Sequence, residues 1–279
     1  MAGEVKDGCL YVVATPIGNL EDLGIRALRV LREVALIAAE DTRKAQILLK
    51  HYEITTRTTS LFEGNEAMRS EKLIARLKDG DAVALISEAG MPGISDPGAI
   101  LIRRCIAEEI EIDVIPGPSA VTTALVLSGL PAERFLWLGF LPRRGKARQH
   151  LIDQLRRSPT TAVLFESPNR TRETLAELAA ALGGRDAAMT RELSKLYQDV
   201  VRLPLHALAE YCREHPPRGE ITLVISGAPE ASAMDETALR EAITQLLSEG
   251  RSVKDVADTL SSVASRREVY QLALSLAKR

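Results

Sequence analysis

The stretch SEAGMPGISDPG, residues 87–98, puts three glycines, two prolines and the carboxylates of Glu88 and Asp96 directly after the apolar run AVALI at 82–86. An apolar run without polar alternation reads as a buried strand of a parallel sheet. Glycines beyond the carboxyl end of such a strand let a ligand approach the backbone, and the crevice there is where open α/β sheets bind ligands. Two more strand ends carry similar punctuation, TPIGNLEDL at 15–23 and EDTR at 40–43. A purely structural loop needs only one turn signal, so three together point to a binding site. Neither GxGxxG nor GxxxxGK followed by Ser or Thr is present, which leaves dinucleotide and P-loop chemistry unsupported.

A second candidate is electrostatic. Between 141 and 157 the chain carries Arg143, Arg144, Lys146, Arg148, Arg156 and Arg157 against Asp153 alone, although the whole chain has a net charge of -2. On charge alone this is a solvated helix face or a phosphate-contacting surface in equal measure. Metal chemistry is not expected. His51, His150, His206 and His215 show no ligand spacing, and Cys9, Cys105 and Cys212 are far apart among apolar residues, as buried free thiols would be. No run of about 18 apolar residues occurs and residues 1–8 lack a signal-peptide layout, so a cytoplasmic protein outside the membrane is expected.

The elements that must position these groups alternate regularly. Strands are expected at 9–15, 34–39, 58–62, 82–87 and 111–115, with helices at 22–32, 42–51, 66–78 and 97–108, the pattern of a parallel sheet covered on both faces. Ser119 can cap a helix running to about 127. A second series follows, with strands at 135–140, 161–165, 187–191, 196–203 and 220–225 and helices at 146–156, 170–182 and 205–213. The strand at 196–203 has no helix before it, which implies a mixed sheet. Helices alone are expected at 238–248, 252–260 and 265–277, a packed tail with a helix-turn-helix outline. The chain, 279 residues with 46% hydrophobic content, is long for one core. The expected division is an N-terminal α/β domain (1–117), a C-terminal α/β domain (118–230) and a helical tail (231–279).

Nine motifs in register then carry a resemblance: TPIGNL (15–20), AAEDTR (38–43), NE (65–66), AGMPGISDPG (89–98), PGPSA (116–120), GFLPRRGKAR (139–148), ESPNR (166–170), RELSK (191–195) and RGE (218–220). Together they resemble the ribosomal RNA small subunit methyltransferase I family, the ribose 2′-O-methylating branch of the tetrapyrrole methylase superfamily, over essentially the whole chain. The resemblance implies two α/β domains with S-adenosylmethionine (SAM) in the cleft between them, a homodimer, and 16S rRNA of the small ribosomal subunit as substrate, methylated on a cytidine of the decoding region. By motif, SAM would be held by Pro16, Ile86, Ser87, Glu88, Ala89, Gly90 and Ile94 from the first domain and by Ser119, Ala120 and Phe165 from the second. Arg143, Arg144, Lys146 and Arg148 would contact RNA phosphates. Glu88 stands where the family has Asp, Phe62-Glu63-Gly64 where it has His before Asn65, and Asn169 where it has His.

Methyl transfer to a ribose hydroxyl calls for alignment and for a base to take the proton. Glu40, Asp41, Glu192 and Lys195 are the base candidates by type and placement; Asp41 could equally cap the helix after it. A tetrapyrrole C-methyltransferase and a non-catalytic RNA-binding relative are the alternatives that share the fold. The dimer interface is expected on the helix within 116–130, where Val121, Leu125, Val126 and Leu127 spread around the axis, unless that helix is buried between its own domains.

Overall fold

Short strands, three of them wholly apolar, build the first sheet of the computed structural model, which describes residues 4–229, 236–260 and 264–277. The strands are β1 (Leu10–Val13), β2 (Leu36–Ala39), β3 (Thr58–Ser60), β4 (Val83–Ile86) and β5 (Ile112–Ile115), all parallel in the order β3-β2-β4-β1-β5. Helices α1 (Ile25–Glu33), α2 (Thr42–His51), α3 (Glu66–Lys78) and α4 (Ala99–Ala107) cover it. The absence of polar alternation now has its cause. Tyr11, Val13, Ala84 and Ile86 pack with Leu31 of α1 and Leu49 of α2, while their neighbours Leu10, Val12, Val83 and Leu85 pack with Leu77 of α3 and Leu101 of α4. Both faces are core at the central strands β1, β2 and β4, so every position in them is apolar, whereas the edge strands β3 and β5 carry Thr58, Thr59, Ser60 and Asp113.

The second sheet is mixed. After α5 (Ala120–Ser128) come β6 (Phe135–Phe140), α6 (Lys146–Arg157), β7 (Thr161–Glu166), α7 (Pro168–Leu182), β8 (Asp186–Arg191), β9 (Asp199–Pro204), α8 (Leu205–Glu214) and β10 (Ile221–Ile225). The order is β6-β7-β10-β8-β9, with β6 and β7 parallel and the other pairs antiparallel. β9 begins at Asp199, not at 196. Glu192 and Ser194 sit at φ 50° and 65°, which turns the chain before it can pair and leaves Leu196 and Tyr197 exposed. Helices α9 (Glu236–Ser248), α10 (Val253–Thr259) and α11 (Arg266–Ala277) close around their own core of Ile243, Val256, Val269 and Ala273. The expected boundary at 117/118 falls between β5 and α5, and that at 230/231 lies outside the described residues.

Helix α5 links the two sheets. Val121, Ala124 and Leu125 pack on Val163, Ala188 and Val224 of the second sheet, and Ile17 from the loop after β1 joins the same cluster. Of the two expectations for this helix, burial against its own chain is what is seen: Leu125 is 5% exposed, while Val126, 78% exposed, points outward. Among the described residues no helix is long and apolar enough to cross a membrane.

Candidate functional site

The loops after β1 and β4 are fastened to each other. Thr15 N–H donates to Gly90 O at 2.8 Å and Gly90 N–H to Thr15 O at 3.0 Å, an isolated bridge beyond the sheet proper. Gly90 holds φ +75°, a conformation glycine adopts freely. A Cβ there would meet Ile17 Cγ2 at 3.7 Å and Pro118 O at 3.8 Å, so space exists and the backbone angle is what demands glycine. Pro16, Ile86 and Ser87 are buried behind this bridge and do not reach the surface it supports. Ser87 Oγ instead donates to Ala89 O at 3.2 Å.

In front of the bridge lies a cleft of about 660 Å³ between the two sheets. Glu40, Glu88, Ala89, Gly90, Ile94 and Asp96 form one wall, and Ser119, Ala120, Trp137, Phe140, Phe165 and Glu220 the other. Ser119 precedes α5 with extended backbone and no side-chain capping bond, so the capping role expected of it is not taken and its hydroxyl is left at the cleft. Phe165 is wedged edge-on between Trp137, at 4.4 Å between centroids, and Phe140, at 5.6 Å.

The first wall is acidic. Glu40 accepts from Glu88 N–H at 3.2 Å, and Glu88 pairs with Lys44. Burial raises the Glu40 carboxyl above the usual range, the bond from Glu88 N–H opposing and the Glu88 charge adding. Asp96 is pushed up to about 6 by burial and by the Glu40 charge. Asp96 is one of the two carboxylates of SEAGMPGISDPG but is not among the expected site residues; its partial burial beside Glu40 is what distinguishes it. Its folded pKa lies above the ordinary aspartate value of 3.8, so its contribution to stability is full below about 4 and is lost as pH rises through about 6. A cationic ligand bound at this wall should therefore bind more tightly as pH climbs through 6, and Asp96→Asn should flatten that rise; titration calorimetry at pH 5, 6 and 7 measures both.

The other three base candidates are committed elsewhere. Asp41 caps α2, accepting from Arg43 N–H at 2.8 Å and pairing with the Arg43 guanidinium at 2.8 Å, which holds its carboxyl at about 2. Glu192 accepts from Glu220 N–H at 2.9 Å, which lowers its pKa. Burial would lower Lys195, but its bonds to Glu192 (3.0 Å) and Glu220 (3.1 Å) outweigh that and raise it. Asp41, Glu192 and Lys195 lie off the cleft lining, and the first two are weakened as bases while the third is held protonated.

Glu66, the second residue of the NE motif, is buried at the start of α3 and accepts from Gly98 N–H at 2.9 Å and Ile100 N–H at 2.7 Å. It thereby supplies acceptors for the N-terminus of α4 and fixes the far end of the loop that carries Ile94 and Asp96. Glu66→Ala should cost about 1–3 kcal/mol for each donor left unpaired. A fall in melting temperature, with Glu66→Gln falling less, checks this.

The cations divide. Arg143, Arg144 and Lys146 are exposed and, among the described residues, without an ion pair. Arg148 corrects its expected role: it is 8% exposed, pairs with Glu177 at 2.7 Å and donates to Pro142 O (3.0 Å) and Thr174 Oγ1 (3.1 Å). Its position in α6, four and seven residues before Ile152 and Leu155, puts it on the buried face. Arg143, Arg144, Arg148 and Arg170 border a shallow basin, joined to the cleft through Glu166, which accepts from Thr174 Oγ1 at 2.6 Å and pairs with Arg170 at 3.5 Å. No His, Cys, Asp or Glu group fit to hold a metal ion occurs among the described residues.

Comparison with known proteins places this geometry. A sequence profile described as Tetrapyrrole (Corrin/Porphyrin) Methylases matches residues 9–209. A protein of Thermotoga maritima named ribosomal RNA small subunit methyltransferase I is 46% identical over 220 residues, covering 79% of this chain and 99% of its own. A protein of the same name from Synechocystis is 41% identical over 274 residues, covering 96% and 98%. The solved structure of a uroporphyrin-III C-methyltransferase from Thermus thermophilus, complexed with S-adenosyl homocysteine, superposes with a TM-score of 0.56 at 19% identity, covering 78% of this chain and 96% of that one; at that identity it speaks for the fold alone.

Proposed function

The chain belongs to the tetrapyrrole methylase family, in its ribosomal RNA small subunit methyltransferase I branch, and on that premise we propose that it transfers a methyl group from SAM to the ribose 2′-hydroxyl of a cytidine in the decoding region of 16S rRNA. The observation that carries the reading is the 41% identity with the Synechocystis relative over 96% of the chain, tail included. The cleft supports it. SAM bears a sulfonium and an ammonium, and the wall of Glu40, Glu88 and Asp96 is negative with Lys44 as partner of one carboxylate only. Trp137 and Phe165 offer apolar surface opposite, and Gly90 brings backbone up to the ligand. The residues present fit SAM, which would rest on Glu88, Ala89, Gly90, Ile94, Ser119, Ala120 and Phe165, with Pro16, Ile86 and Ser87 holding the loop from behind.

When bound, SAM supplies a methyl carbon made electrophilic by the adjoining sulfonium. The protein's part is to hold the 2′-oxygen in line with that carbon and to take up the proton. Glu40 serves as base in this reading: it faces the cleft and its raised pKa makes it a better acceptor than Asp41, Glu192 or Lys195. Arg143, Arg144 and Lys146 bind the flanking phosphates.

Methyl-tritiated SAM offered to small ribosomal subunits, to large subunits and to a uroporphyrinogen tests the reading. Label in small-subunit RNA is expected. Label in the tetrapyrrole would move the protein to C-methylation, and SAM-independent RNA binding with no transfer would make it a binding relative. The protein further acts in the cytoplasm as a homodimer, which doubles the cationic surface. Light scattering should give twice 30.4 kDa, and Val126→Asp should leave it unchanged unless the one exposed apolar residue of α5 anchors the partner.

A further inference from the structure

Strand β6 changes phase within its own length. Phe135 and Trp137 line the cleft, whereas Leu136 and Leu138 pack with Leu155 and Leu164 on the opposite face. Strict alternation would point residue 139 at the cleft and bury Phe140. Instead the register against β7 shifts between Trp137 and Phe140, and Gly139 takes φ +61°. After it Phe140 faces the cleft and Leu141, 1% exposed, enters the core. A single bulge at Gly139 thus inverts the strand, and bulges of this kind re-aim side chains beside sites. What it presents is a phenyl ring 53% exposed, touching Phe165 on one edge and followed three and four residues later by Arg143 and Arg144.

We propose that Phe140 is the stacking platform for the base of the nucleotide that is methylated, which makes β6 and the loop after it one nucleotide-binding site. This rests on the RNA-methylating reading above and deepens it. A ribose whose oxygen enters the cleft brings its own base to the rim, and a base reached by an enzyme in this way has left its stack. An aromatic face compensates for the lost stacking, with any base, because every base has a π-face. Cleft, ring and cations follow one another in the order ribose, base and phosphate. The cationic segment itself holds no aromatic residue, so the bulge is what brings one beside it.

Phe140→Ala, Phe140→Leu and Phe140→Trp test the assignment, each measured for kcat/KM with small subunits and for SAM affinity by calorimetry. Half-exposed as it is, Phe140 can be replaced without opening the core. The Ala variant should lose roughly ten- to a hundred-fold in kcat/KM, Leu should recover little of it and Trp most, with SAM affinity within about twofold of wild type in all three, too small a change to signal a lost contact. SAM affinity falling in step with kcat/KM would make the ring a cofactor contact, and Leu performing as well as Phe would make it a mere apolar wall; either overturns the proposal while the RNA reading stands. Wild-type protein that labels no RNA would overturn the RNA reading and the platform with it.

Discussion

A Gly90→Val protein is expected to fold and to lose SAM binding by roughly tenfold or more, since each 1.4 kcal/mol is a factor of ten and a strained residue costs on the order of 1–3 kcal/mol. At φ +75° a β-branched side chain is strained whatever space surrounds it. The cost is a fraction of the ~5–15 kcal/mol that holds a domain together, so the sheets survive. The loop relieves the strain by turning its peptides, which breaks the paired bonds to Thr15 and moves Glu88 and Ala89 off the cleft wall. Gly90→Ala, whose methyl has 3.7 Å to Ile17, separates the angle from the bulk and should fall between. Calorimetry with SAM reads the result. Unaltered affinity in the Val variant would place the cofactor elsewhere.

The second large effect concerns RNA. Replacing Arg143, Arg144 and Lys146 together with Ala should make the dependence of log affinity on log salt shallower by roughly two to three, because each lost phosphate contact removes about 0.7–0.9 from the slope. SAM affinity should not move. Arg148→Ala should behave differently, leaving the slope nearly intact and costing about 1–3 kcal/mol of stability as Glu177, Thr174 and Pro142 O lose their donor. A salt slope unchanged in the triple variant would return these cations to an ordinary solvated face.

Where local chemistry decides structure, the sequence was sufficient. α2 and α3 run over 42–51 and 66–78 as expected, the first capped by Asp41, and the central parallel strands β1, β2 and β4 declare themselves by being apolar on both faces. The resemblance over nine motifs led to the family that the sequence profile and the relatives show. Three features were hidden for one physical reason: they arise only when distant segments meet. Asp96 is unusual because it is half-buried at the cleft wall beside Glu40, 56 positions earlier. Phe140 reaches the cleft because a bulge against β7 reverses the alternation from which its direction would be inferred. The residues after β8 turn and do not extend because Glu192 bonds Glu220 across the sheet end. Arg148 is another matter, since its spacing to Ile152 and Leu155 already marked the buried face of α6 and the charge of its neighbours obscured it.

The position of the methyl group separates ribose methylation from base methylation. A 2′-hydroxyl is the internal nucleophile in alkaline cleavage of RNA, so methylating it protects the adjoining phosphodiester, whereas methylation of a base leaves the chain cleavable. Small subunits labelled by this protein with methyl-tritiated SAM, extracted and hydrolysed in alkali, should therefore yield label in an alkali-resistant dinucleotide whose first nucleoside is 2′-O-methylcytidine. Label recovered in alkali-released mononucleotides would mean that a base is the acceptor, and would rule out the ribose hydroxyl.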